Sequence, residues 1–344
     1  MNEFGDRKIR LKGLKHTYAD KECVWNRFTL DWRTQMRKHI ILTGLFVFAT
    51  LSLCGCQKKY YGKGQAFTMK MAESAAGYSN ADIAAQSADN YERFMHASYI
   101  IATDKYGEEH KIKISANIKR NDWDFANLQT DGSFKNYVEA DGSDKKVGID
   151  VSEHQGVIDW AAVATQVDFA VIRLGYRGYT SGGMALDAYY SANIAGATEA
   201  GIPVGVYFYS QATSYEEGVE EANFVLNNLG DYGLAYPVVL DREDPMTDDA
   251  RTNDLTTEQH TQAALGFLET IQASGHRAMI YTNRTYYALY LDLEKIYQYP
   301  VWFAQYADEP DWPYEFSIWQ YTENGTVAGI SGSVDLNLEM MPLQ

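Results

Sequence analysis

The sequence predicts an α/β protein whose main part is an irregular eight-stranded, TIM-like barrel of the (β/α)5(β)3 type. From residue 146 onward, short apolar runs alternate with amphipathic helical patterns, which is typical of a parallel sheet covered by helices. The first five runs are each followed by a helical pattern, whereas the last three have little helix between them. Eight such strands favour closure into a barrel, and the missing helices predict that it is irregular.

The predicted elements follow one another in a regular order. Glycine is expected to end the second and third helices, at Gly201 and Gly230, and Thr256 or Thr257 to cap the fourth. The five strand and helix pairs are VGIDVS with VIDWAAVATQ, FAVIRLGY with ALDAYYSANIAGATEAG, PVGVYFYS with YEEGVEEANFVLNNLG, YPVVLDRE with LTTEQHTQAALGFLETIQASG, and AMIYTN with RTYYALYLDLEKI. The last three strands are VWFAQY, FSIWQY and VDLN.

The part of the chain before the barrel divides by composition into three segments. Residues 1–35 are interpreted as an over-extended reading frame, 36–56 as a lipoprotein signal peptide, and 57–145 as a spacer with a small N-terminal α+β or stalk region. Alternating residues around 104–107 predict a hairpin in the last of these. The barrel domain is expected to occupy 146–344.

The predicted signal peptide indicates that the protein is exported from the cytoplasm. Arg37 and Lys38 precede an apolar stretch that is short for a membrane-spanning helix, and Gly55-Cys56 resembles a bacterial lipobox. We therefore expect lipidation of Cys56 and a protein tethered to the cell envelope through this lipid anchor. An uncleaved signal anchor is the alternative.

Composition excludes several other classes of function. The formal net charge of −16 argues against nucleic acid as a partner. All three cysteines lie near the start, at Cys23, Cys54 and Cys56, so no disulfide framework or thiolate metal site is expected in the barrel. The histidines show no paired ligand spacing, and neither a metal nor a cofactor is predicted. A monomer is the expected state.

Polar side chains are concentrated where the predicted strands end, which is where the active sites of such barrels lie. Carboxylates come from three different strands, and converging carboxylates are what glycoside cleavage requires. The residues at strand ends are Asp150, Tyr207, Tyr209, Asp241, Glu243, Tyr281, Asn283, Gln305, Gln320 and Asp335.

The segment 236–245, YPVVLDREDP, is the most informative of these strand ends. In an extended strand, Asp241 and Glu243 project to one side and Arg242 to the other. Two neighbouring carboxylates in a partly buried site raise one another's pKa, so one can stay protonated as an acid while the other is charged. A strand end that merely frays into a polar loop is the alternative. Arg173, inside a strand, is expected to pair with a nearby carboxylate.

Residues 147–337 resemble glycoside hydrolase family 25, the lysozymes of the Chalaropsis type. The matching stretches are GIDVSEHQGVIDW, AVIRLGYRG, GIPVGVYFYS, PVVLDRE, IYTN, VWFAQY and GISGSVDLN. The resemblance implies an N-acetylmuramidase that cleaves the β-1,4 bond between N-acetylmuramic acid and N-acetylglucosamine in peptidoglycan. By the same resemblance Glu243 is the general acid/base, accompanied by Asp150, Asp241 and Asp335.

The resemblance leaves the role of Asp241 open between direct attack on the sugar and orientation of the substrate's N-acetyl group, with retention of configuration expected. Many members of the family have a histidine after the tyrosine of the third strand, where this chain has Tyr207-Phe208-Tyr209. Aromatic residues near strand ends, including Trp302, are candidates for stacking on sugars, although at least half are expected to be barrel packing. The expected substrate-binding residues are Tyr207, Tyr209, Tyr281, Asn283, Gln305, Trp319 and Gln320.

Two other functions fit the same sequence. One is a catalytically silent peptidoglycan-binding lipoprotein, for which loss of Glu243 would be the simplest mark; the residue is present. The other is a barrel hydrolase acting on another N-acetylated glycan, such as chitin.

Overall fold

A computed structural model describes residues 90–343 of the chain, apart from residues 92 and 94. The predictions for the segments 1–35 and 36–56, including Cys56, lie outside the described residues. Within the described part of the chain, no helix has the length and apolar character needed to span a bilayer.

Within residues 99–343, thirteen strands and six α-helices carry the architecture. The strands are β1 (Tyr99–Thr103), β2 (Glu109–Lys113), β3 (Leu128–Asp131), β4 (Phe134–Tyr137), β5 (Val147–Val151), β6 (Phe169–Arg177), β7 (Met184–Leu186), β8 (Val204–Tyr209), β9 (Val238–Asp241), β10 (Ala278–Asn283), β11 (Val301–Ala304), β12 (Ile318–Gly325) and β13 (Val334–Glu339). The helices are α1 (Trp160–Val163), α2 (Tyr190–Glu199), α3 (Tyr215–Asn228), α4 (Thr257–Ala273), α5 (Arg284–Tyr290) and α6 (Leu293–Ile296).

Eight strands close into the predicted barrel, in the order β5, β6, β8, β9, β10, β11, β12 and β13, with β13 paired back to β5. Helices follow the first five barrel strands and none lies between the last three, so the (β/α)5(β)3 pattern is confirmed. The other seven barrel strands run parallel to one another, but β13 runs antiparallel to both β12 and β5. The expectation that all eight strands run parallel is therefore wrong for β13.

The reversal of β13 changes how its carboxylate reaches the mouth of the barrel. Asp335 is the second residue of β13 and pairs directly with Asp150 near the end of β5. Because β13 is antiparallel, its beginning lies at the same rim as the ends of the parallel strands. Asp335 was expected at a strand's carboxyl end; it lies instead at the beginning of its strand, on the predicted rim.

Side chains alternate between the barrel interior and the layer under the helices. The interior holds a small apolar cluster that includes Phe169, Val239 and Trp302. The larger core, which includes Leu240 and Phe267, lies between the barrel and its helices. These five side chains are fully buried. Burying a large apolar side chain stabilises the fold by about 1.5–3 kcal/mol relative to leaving it exposed.

The helix ends agree with the predicted signals. The side chain of Thr256 caps α4 by accepting from the N–H of Gln259, and Gly201 adopts φ 76° just after α2. The predicted second helix is too long at its start, since residues 184–186 form the edge strand β7. The carboxylate of Asp187 accepts the N–H of Tyr189, so the helix begins only at Tyr190.

The region before the barrel contains two hairpins, and the predicted one around residues 104–107 joins β1 to β2. A second hairpin pairs β3 with β4. Both lie against the barrel. The Arg284 side chain donates Nε–H to the carbonyl of Ile101 at 3.0 Å, and the backbone N–H of Lys135 donates to the Tyr321 hydroxyl at 3.1 Å. The boundary at 145/146 stays a prediction, but the two hairpins contribute surface around the barrel mouth.

Candidate active site

Four carboxyl groups converge at one end of the barrel. Asp150 lies near the end of β5, Asp335 at the start of β13, and Asp241 at the end of β9, with Glu243 two residues further on. Asp150 and Asp241 are buried, whereas Glu243 and Asp335 are half-buried at the mouth. The structure therefore brings together the four residues that the sequence predicted.

Asp150 is held by side-chain donors on the neighbouring strands. One of its oxygens accepts from Gln320 Nε2 at 2.9 Å and from Asn337 Nδ2 at 2.8 Å. Burial raises the pKa of Asp150, while these amides and a hydrogen bond from Asp335 stabilise its ionised form. Burial and the charge of Asp150 raise the pKa of Asp335 to about 9. Asp335 is therefore protonated at neutral pH and donates to Asp150.

Asp241 and Glu243 are the second pair. Burial, followed by the charge of Asp150, raises the pKa of Glu243 to about 7. Burial, followed by the charge of Glu243, raises the pKa of Asp241 well above its usual value, and the guanidinium of Arg173 opposes this rise. One oxygen of Asp241 is buried without a hydrogen-bond partner among the residues described. Two neighbouring carboxyl groups whose pKa values both lie above the usual range thus form a pair that can hold a proton for donation.

The backbone between these two carboxylates is anchored by Arg242. Strand β9 ends at Asp241, so Glu243 lies just beyond the strand rather than on it, although the N–H of Arg242 still donates to the carbonyl of Tyr281 at 3.0 Å. The Arg242 side chain points away from the mouth, as predicted, and is almost completely buried under the helices. It donates to the Ser210 hydroxyl at 3.1 Å and to the Ala212 carbonyl at 2.7 Å.

The predicted pairing of Arg173 with a carboxylate is confirmed. Its Nε donates to Asp187 at 2.7 Å, and its Nη2 donates to Glu153 at 3.1 Å. Because Arg173 also lowers the pKa of Asp241 through its charge, it favours the ionised form of that carboxyl group.

Among the predicted substrate-binding residues, Tyr207, Tyr209, Tyr281 and Gln320 lie at the carboxyl cluster. Tyr281 donates its hydroxyl to Gln320 at 2.8 Å, which links it to Asp150. Tyr207 and Tyr209 are half-buried on β8, and Tyr209 pairs with Asp241 across the sheet. The charge of Asp241 raises the pKa of both tyrosines, in addition to the effect of burial.

Three other predicted residues have different surroundings. Trp319 is fully buried in the core outside the barrel, where its Nε1 donates to the carbonyl of Gln305 at 2.9 Å, so the expectation that its ring stacks on sugar is wrong. Asn283 caps α5 by accepting from the N–H of Tyr286. The Gln305 side chain binds Asp311 in its own loop at 2.7 Å. Substrate contacts by Asn283 and Gln305 stay predictions.

Trp302 is barrel packing, as expected for at least half of these aromatic residues. It is 1% exposed inside the barrel, and its Nε1 donates to Asn337 at 2.7 Å.

Sequence reasoning missed two residues of the site. Asn337 donates to Asp150 from β13, and Tyr306 donates its hydroxyl to Gln320 at 3.0 Å. The alternation of strands carried a signal for Asn337, because it stands two residues after Asp335 and faces the same way. Tyr306 lies in a loop, where no such alternation applies.

One group of described residues has the side chains and proximity that a metal ion requires, namely Asp104, Glu108 and His110 in the β1–β2 hairpin. Asp104 already accepts from the backbone N–H groups of Tyr106 and Glu108 at 2.9 Å and contacts His110 at 2.8 Å. These contacts account for the group as a turn, and we assign no metal to it.

Asp335→Asn is expected to stabilise the protein at pH 8 by about 0.5–2 kcal/mol, the size of gain that favourable single substitutions give. The folded-state pKa of Asp335, about 9, lies above the value of 3.8 for an unperturbed Asp. The stability that this group contributes is full below pH 3.8 and is lost as the pH rises through 9. Between pH 5 and pH 8 the free energy of unfolding, measured with urea, should decrease less for the variant than for the wild type. An equal decrease in both proteins would contradict the raised pKa of Asp335.

The closed barrel with paired carboxyl groups of raised pKa at its mouth is the arrangement of a glycoside hydrolase. The model of Glycosyl hydrolases family 25 matches residues 149–330, and the chain belongs to that family. It is therefore a glycoside hydrolase. The match runs from within β5 to the loop before β13, so the last barrel strand, with Asp335, lies beyond it.

Two lysozymes and a solved autolysin are each similar to more than half of this chain. Lysozyme M1 from Streptomyces globisporus is 30% identical over 201 residues, which are 55% of this chain and 66% of that protein. The autolytic lysozyme of Clostridium acetobutylicum is 27% identical over 191 residues, 55% of this chain and 54% of that protein. The structure of the modular autolysin LytC from Streptococcus pneumoniae covers 70% of this chain and 56% of its own, with a TM-score of 0.53 and 23% identity, and shows the likeness of fold.

Proposed function

We propose that this protein is a cell-wall lysozyme that hydrolyses the β-1,4 bond between N-acetylmuramic acid and N-acetylglucosamine in peptidoglycan, with Glu243 as the general acid/base. The observation that carries the proposal is the pKa of Glu243, which burial and Asp150 raise to about 7 at the mouth of the barrel. A carboxylic acid that is still protonated near neutral pH can donate to the leaving oxygen.

The first step breaks the bond between the sugar's anomeric carbon and the glycosidic oxygen. Glu243 transfers its proton to that oxygen, which leaves with the bonding electrons, and positive charge develops on the sugar ring. Asp241 faces this charge, and both Arg173 and the developing cation favour its ionised form. The unpartnered oxygen of Asp241 suits either direct attack on the anomeric carbon or a hydrogen bond from the substrate's N-acetyl group.

In the second step Glu243, now ionised, removes a proton from water as the water oxygen attacks the same carbon. The group that bonded to this carbon in the first step, either the Asp241 carboxylate or the substrate's N-acetyl oxygen, leaves with the bonding electrons. This restores Glu243 and releases a sugar with retained configuration. Asp335 and Asp150 hold their shared proton throughout and fix the neighbouring amides. Tyr207, Tyr209, Tyr281 and Gln320 line the place where the sugar ring would lie.

The names of the relatives support this assignment. Lysozyme M1 and the autolytic lysozyme are lysozymes by name. LytC, which shares the fold, has been solved in complex with a synthetic peptidoglycan ligand. Peptidoglycan glycan strands are therefore the proposed substrate of this chain.

The proposed setting of the activity is the cell envelope. The signal-peptide pattern of 36–56 supports export, lipidation at Cys56 and anchoring to the membrane. We propose a tethered monomer that reaches the wall through the segment following Cys56. Mass spectrometry of the protein from its native host is the direct measurement, with a diacylglycerol-modified Cys56 as the expected result.

The bond specificity is tested by the new ends that the protein creates. Full-length protein is incubated with purified peptidoglycan, and the fragments are reduced with borohydride and identified by mass spectrometry. We expect reduced muramic acid ends. Reduced glucosamine ends would contradict the proposed bond, while binding without any release would indicate a silent wall-binding protein.

A further inference from the structure

A surface cavity of about 520 Å³ lies between the β3–β4 hairpin, the loop after β11 and the end of β12. Its volume falls within the range of ligand-binding clefts. Much of its lining is polar, and the residues that matter here are Thr130, Ser133, Lys135, Tyr306, Thr322 and Asn324. Half of these come from the hairpin and half from the barrel domain, so neither part forms the cavity alone.

The cavity begins where the carboxyl cluster ends. Tyr306 lines the cavity with a ring that is 51% exposed, and its hydroxyl donates to Gln320 at 3.0 Å. Gln320 in turn donates to Asp150 at 2.9 Å. The charges of Asp335 and Glu243 are close enough to raise the pKa of the Tyr306 hydroxyl, in addition to burial. The cavity is therefore linked to the carboxyl cluster by the hydrogen bonds of Tyr306 and Gln320.

The chemistry of the lining fits a sugar. Hydroxyls, an amide, an ammonium group and a half-exposed aromatic ring are the groups with which proteins bind saccharides. Among the residues that the structure describes, nothing hydrogen-bonds the side chains of Thr130, Ser133 or Asn324. Those three side chains can therefore bind a ligand without breaking a hydrogen bond to any described residue.

Lys135 supplies the positive charge of the cavity. Its ammonium group donates to the backbone carbonyl of Asp308 at 3.0 Å, and the carboxylate of the same residue is 3.9 Å away. It also lies over the ring of Trp319, 5.7 Å from the centroid. These contacts hold the long side chain along the wall, with 14% of it exposed, so its position is set before any ligand arrives.

The hairpin itself is fixed to the barrel. The N–H of Lys135 donates to the hydroxyl of Tyr321 at 3.1 Å, and Thr130 stands opposite Lys135 in the β3–β4 ladder. A tight turn at Gly132 and Ser133 joins the two strands, with Gly132 at φ 60°. The wall that the hairpin adds is therefore a paired hairpin that is hydrogen-bonded to the barrel.

We propose that this cavity is a distal subsite that binds a sugar of the same glycan strand, beyond the sugars that flank the cleaved bond. The proposal rests on the proposed glycan-cleaving function and gives the β3–β4 hairpin a role. The hairpin lies outside residues 149–330, which the family model matches. Through this hairpin, part of the chain before the barrel would determine the length of glycan that the enzyme prefers.

Ser133→Trp in the full-length protein tests the subsite by filling it. Ser133 has no positive φ, so the backbone accepts the larger residue. The matched control is Gln129→Trp, which adds the same side chain at an exposed position of the same hairpin. Gln129 pairs with Asn136 in the β3–β4 ladder, and neither residue lines the cavity. The substrates are long peptide-free glycan strands and the shortest oligosaccharide that the wild type cleaves.

We expect Ser133→Trp to lower kcat/KM on long strands by about tenfold, as for the loss of one or two hydrogen bonds. The shortest oligosaccharide should be cleaved as by the wild type, and Gln129→Trp should match the wild type on both. Equal losses on long and short substrates, or no loss on either, would overturn the proposal. A loss seen only with peptide-bearing strands would assign the cavity to the stem peptide and would also overturn it.

Binding of the long peptide-free strands, measured by calorimetry, separates this proposal from the proposed function. If the wild type binds strands but releases no products, the proposed activity fails. The subsite then stands if Ser133→Trp weakens binding about tenfold and Gln129→Trp does not. If Ser133→Trp bound the strands as tightly as the wild type, the proposed subsite would be excluded.

Discussion

Glu243→Gln is expected to lower kcat by about 10²–10⁴-fold on peptidoglycan, the size of effect that general acid–base catalysis contributes. Glutamine keeps the shape of the side chain but has no proton to transfer to the leaving oxygen. Substrate binding depends on other residues, so KM should change much less than kcat. Initial rates measured with reducing-end assays give both constants. A variant with more than a tenth of the wild-type kcat would exclude Glu243 as the acid.

The pH dependence provides an independent check on the same residue. Because the acid must be protonated, wild-type kcat/KM should fall as the pH rises through about 7, the pKa of Glu243. The residual activity of Glu243→Gln should lack this decrease.

Stability gives the control for folding. The folded-state pKa of Glu243 lies above its usual value of 4.5, so the stability it contributes is full below pH 4.5 and is lost as the pH rises through 7. Glu243→Gln should therefore be at least as stable as the wild type at pH 8, by thermal unfolding. A large loss of stability would attribute the loss of activity to misfolding instead.

The barrel and its carboxyl cluster were predictable from the sequence because two simple periodicities carry them. Eight apolar runs, the first five followed by amphipathic helices, predicted the number of strands, and the rule that active sites lie at strand ends selected Asp150 and Asp241. Both rules depend on local pattern alone.

The direction of β13 and the place of Trp319 depend on information of another kind. The connection 326–333 between β12 and β13 is shorter than the dozen or so residues that a parallel crossover needs. It thus favoured an antiparallel return, but only once the strand ends were known. Strand β12 begins with two apolar residues, Ile318 and Trp319, which face opposite sides of the sheet. Their sequence does not tell which of them faces the barrel interior. The contact of Gln320 with Asp150 shows that Ile318 and Gln320 face the interior and that Trp319 faces outward.

Charged residues that face the helix layer were the least predictable. Arg242 could be expected to point away from the carboxylates, but nothing in the sequence identified Ser210, Ala212 and His260 as its partners. These residues are distant along the chain and meet only because α3 and α4 cover neighbouring strands. The network thus depends on tertiary packing, and its energetic weight can be tested directly.

Arg242→Met is expected to destabilise the protein by about 3–5 kcal/mol, the loss typical of removing one partner from a buried charge network. The substitution would leave the Ser210 hydroxyl and the Ala212 carbonyl without the donor they now bind. It would also remove the positive charge that lowers the pKa of the buried Glu221. The melting temperature should fall by roughly 6–20 °C, given the usual relation for a domain of this size.

His260 makes the network sensitive to this change. Burial and the charge of Arg242 lower the pKa of His260 to about 3, so the ring is neutral. Its Nδ1 lies 3.2 Å from Arg242 Nη2 and 2.8 Å from the Tyr286 hydroxyl, which requires Nδ1 to be an acceptor and Nε2 to carry the proton. Methionine offers no donor to this nitrogen.

Lys295→Met is the matched control, because it also replaces a cation by methionine but at an exposed ion pair with Glu258. Exposed pairs contribute little, so this variant should melt with the wild type. If Arg242→Met melted at the same temperature as the wild type, the buried network would not contribute to the stability of the fold. Arg242→Lys retains the charge without the planar fork and should recover part of the stability. Since Arg242 holds the backbone between Asp241 and Glu243, kcat should follow the same order, with KM changed less.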